Sequence, residues 1–168
     1  GGTASIPITC NGSFFRPEIR GYMKGALHEY VPAKKKAVIC PCAATKPYPA
    51  PLHKQIKTTM PDDWELIVAT GVLGLIPEDL FTQMPNYDSG LPNIERCIQT
   101  VQWYFSKHKY DSLIVYSDFY AYAVAQGLAR VAPGLRPKNI QFMFGDHYRD
   151  RYDNLMLTEH LSRLQIAI

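Results

Sequence analysis

Four short apolar runs, each cut off by charged residues, proline or glycine, constrain this chain more than any other feature. They are Ala37-Val38-Ile39-Cys40, the run from Trp64 to Thr70, Leu113-Ile114-Val115-Tyr116, and Ile140-Gln141-Phe142-Met143-Phe144. The first, bounded by charges and proline, reads as a strand buried on both faces, and the other three read as further strands. Between them, apolar residues recur at helical spacing. Ile94, Ile98, Val101 and Phe105 predict a helix over about Asn93 to Lys107, and a second is expected from Phe119 to Val131. Further helices are expected from Pro17 to Tyr30, Leu52 to Thr59 and Tyr148 to Leu164. Strands alternating with helices argue for an α/β fold, a three-layer α/β/α arrangement on a mainly parallel sheet of four to five strands. With 168 residues, 46% of them hydrophobic, residues 1–168 read as a single domain.

In such folds ligands bind outside the carboxyl ends of the strands. Those ends carry Pro41-Cys42, Thr70-Gly71, Ser117-Asp118 and Gly145-Asp146, so separate stretches converge on one crevice. Just past the second strand, Gly71 and Gly74 would let backbone approach a ligand closely. Residues Met84 to Pro92 read as a polar turn.

The first strand end has the richest chemistry. From Cys40 to His53 the chain sets two thiols, an ammonium, a phenol and an imidazole among prolines. Cys42 reads as a nucleophile, with the alternative of a small buried hydrophobe. The start of the following helix and the nearby Lys46 are expected to lower its pKa. Lys46 would pair with the thiolate, hold an anionic substrate group or stand in solvent. Tyr48 would stack on a flat ligand, offer its hydroxyl or prop the loop. His53 is a candidate acid or base if it folds back over Cys42, and otherwise a surface residue of a helix. Asp88 and Asp118 are carboxylates that can accept two hydrogen bonds from the edge of a guanine-like ring, or turn and cap residues. Asp146-His147 repeats that pattern more weakly.

Charge and cysteine usage narrow the setting. The net charge of +3 permits an anionic partner without requiring one. Four cysteines in a domain with a full core read as reduced thiols of a cytoplasmic protein. Only Cys40 and Cys42 are closely spaced, which argues against structural zinc; neither metal nor cofactor is expected. No apolar run is long enough to cross a bilayer, so no membrane partner is expected.

Pro41-Cys42, three residues, then Lys46-Pro47-Tyr48 resembles the signature of the archaeosine synthase core domain, among the tRNA-guanine transglycosylase-related proteins. That signature continues with Ser and His, where this chain has Pro51 and Lys54; His53 lies one position early. The segment from Leu73 to Leu80, followed by Tyr87-Asp88, is similar to the second block of that family. The resemblance covers about Ala37 to Tyr120.

It implies a transferase of the amidinotransferase kind acting on 7-cyano-7-deazaguanine. Cys42 would attack the nitrile carbon to form a thioimidate, which an amine such as lysine, or water, would displace. Lys46 and loop amides would stabilise the developing charge, and His53 or a carboxylate would move protons. Pro41, Tyr48, Gly74, Asp88, Ser117 and Asp118 would line the substrate. The implied substrate is a deazaguanine in tRNA, in DNA (stand-alone domains of this kind are associated with phage DNA modification) or as the free base. A phage-encoded chain would work in the host cytoplasm, with a partner protein or as a homo-oligomer. Two readings compete with this one: a deazaguanine-binding module without chemistry, and base exchange or excision using Asp88 or Asp118.

Overall fold

The computed structural model describes residues 5–89, 93–148 and 154–168. In chain order the elements are β1 (Ile6–Ile8), a 3-10 turn, α1 (Pro17–Gly21), a π-helical turn (Tyr22–Ala26) and α2 (Leu27–Glu29). Then come β2 (Lys36–Pro41), α3 (Pro51–Thr58), β3 (Trp64–Thr70), β4 (Gly74–Pro77) and β5 (Tyr87–Ser89). The chain closes with α4 (Ile94–Lys107), β6 (Ser112–Val115), α5 (Ala121–Ala129), β7 (Asn139–Phe142) and α6 (Thr158–Ala167).

The main sheet has the order β4-β3-β2-β6-β7, parallel except for β4. Its centre is β2, where Val38 lies beside Leu66 on one side and Ile114 on the other. Val38, Ile39, Ile67 and Val68 are fully buried. Each such side chain contributes about 1.5–3 kcal/mol relative to exposure, which is why these runs become interior strands.

The strand order fixes where helices go. From β2 the chain steps one way to β3 through α3, then returns past β2 to β6 through α4, and on to β7 through α5. Right-handed crossovers in opposite directions place α3 on one face and α4 and α5 on the other. The latter two pack tightly: a Cβ at Gly127 would stand 2.6 Å from Val101. The expected three-layer α/β/α architecture is observed.

Three short strands go beyond the four read from sequence: β1, β4 and β5. The segment after Gly71, expected as a glycine loop, turns back as β4 and pairs antiparallel with β3. The segment Tyr87–Ser89, inside the expected polar turn, is β5 and pairs in parallel with β1. The first helix is interrupted by its π turn, and the last begins at Thr158 rather than Tyr148. Part of that expected helix, residues 149–153, lies outside the described residues.

Candidate active site at the strand switch point

The order of the sheet reverses at β2, so the crevice of a doubly wound sheet opens between the carboxyl ends of β2 and β6. Cys42 stands at that point. Its N–H donates to the Ala69 carbonyl at 3.0 Å, carrying the β2–β3 ladder one residue past Pro41. Its Sγ lies 3.3 Å from the Tyr120 hydroxyl, which comes from the far side of the crevice. Tyr120 is held at both ends: its N–H donates to Ser117 Oγ at 3.0 Å, and its hydroxyl accepts from the Gly71 N–H at 3.1 Å. Three strand ends therefore meet around one sulfur.

The motif spacing has a local cause. Lys46 Nζ donates to the Ala43 carbonyl at 2.8 Å. The Tyr48 hydroxyl accepts from the Ala43 N–H at 3.1 Å and lies 3.2 Å from the Ala43 carbonyl. Both residues thus return to the peptide groups that follow Cys42, curling the loop over itself. Lys46 also rests 4.2 Å above the Tyr87 ring, a cation–π contact. The Tyr87 hydroxyl is 2.7 Å from Thr70 Oγ1, which ties β5 to the end of β3. The Lys46–Pro47 and Tyr48–Pro49 peptide bonds are both cis.

His53 takes a different place from the one expected. It is fully buried, its Nδ1 accepts from the Ala50 N–H at 3.0 Å, and its Nε2 faces the Pro41 carbonyl at 3.0 Å. Those partners define a neutral ring with the proton on Nε2. Burial holds its pKa below the ordinary histidine value, against the pull of the Pro41 carbonyl. As found, both ring nitrogens pin the loop to the end of β2, and a proton-carrying role would require breaking one of these bonds.

The charge state of Cys42 also departs from expectation. The thiol is half-buried, and burial pushes its pKa up; the Tyr120 hydrogen bond and the Lys46 charge only oppose that rise. The helix that follows begins nine residues on, at Pro51, and its first turn is engaged with Ala50 and His53. Cys42 therefore rests as a neutral thiol at neutral pH. Burial likewise pulls the Lys46 pKa down, while Cys42 and Asp88 pull it up.

The remaining candidates divide. Pro41 closes β2 and offers its carbonyl to His53. Asp88 is exposed on β5 beside the Lys46 side of the site. Ser117 is buried and caps the turn into Tyr120, whereas buried Asp118 accepts from the Phe119 N–H at 2.7 Å, in the turn role. Gly74 has another reason to be glycine. At φ +78 a Cβ would sit 2.2 Å from the Thr100 side chain, so the close approach is to α4 rather than to a ligand. Asp146 and His147 form an exposed pair, 3.5 Å apart.

Tyr120 belongs to the site and was not singled out from sequence, and Thr70 and Tyr87, named there as a strand end and as part of the second block, were given no role. The available signal for Tyr120 was its place three residues after Ser117, the spacing of a capped turn at a strand end. Among the described residues no group of three or more His, Cys, Asp or Glu could hold a metal ion. No helix among them is long and apolar enough to cross a membrane.

A sequence family described as "Domain of unknown function (DUF5591)" matches residues 19–132, more than half of the chain. No curated protein matches. Among solved structures the chain is similar to AF0587, described as a protein of unknown function, with a TM-score of 0.61 and 14% identity. The match covers 89% of this chain and 50% of that one, so this chain spans half of its length. At that identity the likeness shows the fold alone.

Proposed function

We propose that this chain, which belongs to the DUF5591 family, modifies the 7-substituent of a 7-deazaguanine base, with Cys42 as the nucleophile. The observation that carries this reading is the Cys42 loop itself. Two residues of the archaeosine-synthase-like motif, Lys46 and Tyr48, bond back to the Ala43 peptide groups directly after Cys42, at the switch point of the sheet. A nitrile such as that of 7-cyano-7-deazaguanine is a suitable electrophile for a thiol held there.

Sulfur adds to the nitrile carbon, one π bond of the nitrile becomes an N–H bond, and a thioimidate results. An amine, with lysine as the implied donor, or water then attacks that carbon. The sulfur leaves with a proton, giving an amidine from the amine or an amide from water. Lys46, now resting on the Ala43 carbonyl and the Tyr87 ring, is the nearby cation that can turn toward negative charge developing on nitrogen. The base would be presented in tRNA, in DNA or free. Polynucleotide binding, if it occurs, should weaken steeply with salt. All four cysteines are free, in keeping with work in a reducing cytoplasm.

The test is incubation with 7-cyano-7-deazaguanine, free and in an oligonucleotide, followed by intact mass measurement. Wild type should gain an adduct that Cys42→Ala lacks. A second reading, a deazaguanine-binding module without chemistry, draws on the raised thiol pKa and the engaged nitrogens of His53. It predicts ligand binding by Cys42→Ala equal to wild type and no adduct in either.

A further inference from the structure

Resting on the nitrile reading above, we propose that Tyr120 is the proton carrier of the Cys42 reaction. Its hydroxyl takes the thiol proton as sulfur adds, and hands its own proton to the nitrile nitrogen. The bonds balance within this ring of atoms. The S–H bond breaks and S–C forms, one C≡N π bond becomes N–H, and Tyr120 begins and ends as a neutral phenol.

The geometry favours this group over its neighbours. The hydroxyl oxygen is 3.3 Å from Sγ, hydrogen-bonding distance for sulfur, and it crosses the crevice from the β6 side. A molecule entering between the ends of β2 and β6 therefore meets sulfur and hydroxyl together. The neighbours are less suited. Both His53 nitrogens face backbone groups, the Tyr48 hydroxyl is bound to the Ala43 peptide groups, and Lys46, an ammonium with no lone pair, cannot take the thiol proton. The Tyr120 oxygen also accepts from the Gly71 N–H at 3.1 Å, a fixed dipole that stabilises negative charge on oxygen if the two transfers are not synchronous. Its backbone is set by Ser117 and its ring is buried, so the hydroxyl needs little reorganisation before transfer.

A relay also answers the difficulty raised by a neutral thiol. A base that must hold the proton would have to be stronger than the thiolate, whereas a shuttle passes one proton on while receiving another. In the second half-reaction the same hydroxyl returns a proton to the departing sulfur as the amine or water collapses the intermediate.

The experiment is single-turnover adduct formation with 7-cyano-7-deazaguanine in wild type and Tyr120→Phe, beside alkylation of Cys42 by iodoacetamide as a function of pH. Adduct formation should fall about a hundredfold or more in the variant, the range lost with a general acid–base group. At alkaline pH, where the thiolate needs no relay, alkylation should match wild type. Its midpoint should move to higher pH, because the hydroxyl that favours the thiolate is gone. Wild-type adduct formation should also slow in deuterium oxide, a readout that needs no variant and so survives a folding defect in Tyr120→Phe. Wild type that forms no adduct removes the nitrile reading, and this step with it. Wild type that reacts while Tyr120→Phe reacts equally fast, or shows no solvent isotope effect, overturns the Tyr120 assignment alone.

Discussion

The two ends of the central sheet each set tyrosine hydroxyl against one ionisable group, and they resolve it in opposite ways. At the amino end of β3, Glu65 is buried and accepts hydrogen bonds from Tyr30 at 2.5 Å and Tyr110 at 2.6 Å. Tyr110 is linked to Tyr104 at 2.7 Å, and Tyr30 also reaches Asp79. At the carboxyl ends, five strand positions or about 16 Å away, half-buried Cys42 has one hydroxyl beside its sulfur. Burial raises the pKa of both groups above their ordinary values. The carboxyl is nonetheless held by two donors, whereas half-buried Cys42 has one hydroxyl at its sulfur. A fully satisfied polar cluster acts on stability, and the less enclosed one is where the proposed chemistry is put.

Substitutions at the two ends should therefore separate stability from reactivity. The largest stability effect is expected for Glu65→Ala, which takes the carboxyl partner from the buried Tyr110 hydroxyl and the shorter of two carboxyl bonds from half-buried Tyr30. Unfolding free energy should fall by about 3 kcal/mol, the cost of breaking a buried network from one side. Alkylation of Cys42 under native conditions should be unchanged, and a large loss of thiol reactivity would dissolve the contrast. Tyr48→Phe should be milder in stability, about 1 kcal/mol for the lost hydroxyl bonds, but should alter the alkylation rate of Cys42 by loosening Ala43. An effect on melting with none on alkylation would make Tyr48 a prop of the fold rather than of the site.

The smallest effect is a pH slope. The folded-state pKa of Glu65 is raised, so the folded protein binds its proton more tightly than the unfolded chain does. Its contribution to stability is present below the unfolded carboxyl pKa and is lost as pH rises from there through the folded value. Glu65→Gln should flatten that part of the stability–pH curve. A curve whose slope is unchanged would show that Glu65 titrates alike in both states.

How far the sequence carried this picture depends on the range over which each feature is built. Three of the main sheet's parallel strands, β2, β3 and β6, were legible as runs of buried side chains, whereas β7 is an edge strand with Asn139, Ile140 and Gln141 exposed, marked in sequence only by its apolar residues. The short strands β4 and β5 were not. One holds two turn-forming residues, Gly74 and Pro77, and the other is Tyr-Asp-Ser; pairing with β3 and β1 makes them strands. Cys42, Lys46 and Tyr48 were legible as residues because they fall within one short motif at a strand end, while the bonds of Lys46 and Tyr48 to Ala43 were not. Tyr120 was not, because its bond to Sγ joins residues 78 apart in sequence and depends on the strand order. His53 misled for a related reason: nothing in composition reveals that its ring bonds back to Pro41, 12 residues earlier. The expected fall in the Cys42 pKa weighed the nearby charge and missed the burial that outweighs it. Gly74 was read as room for a ligand, and the room belongs to Thr100.

The central claim is that Cys42 forms a covalent bond to the 7-substituent of a deazaguanine. Its most direct test is the intact mass of wild type and Cys42→Ala after incubation with 7-cyano-7-deazaguanine. The account predicts a mass gain of one base in wild type, located on Cys42 and absent from Cys42→Ala. Binding of the base by both proteins with no mass gain in either would contradict it.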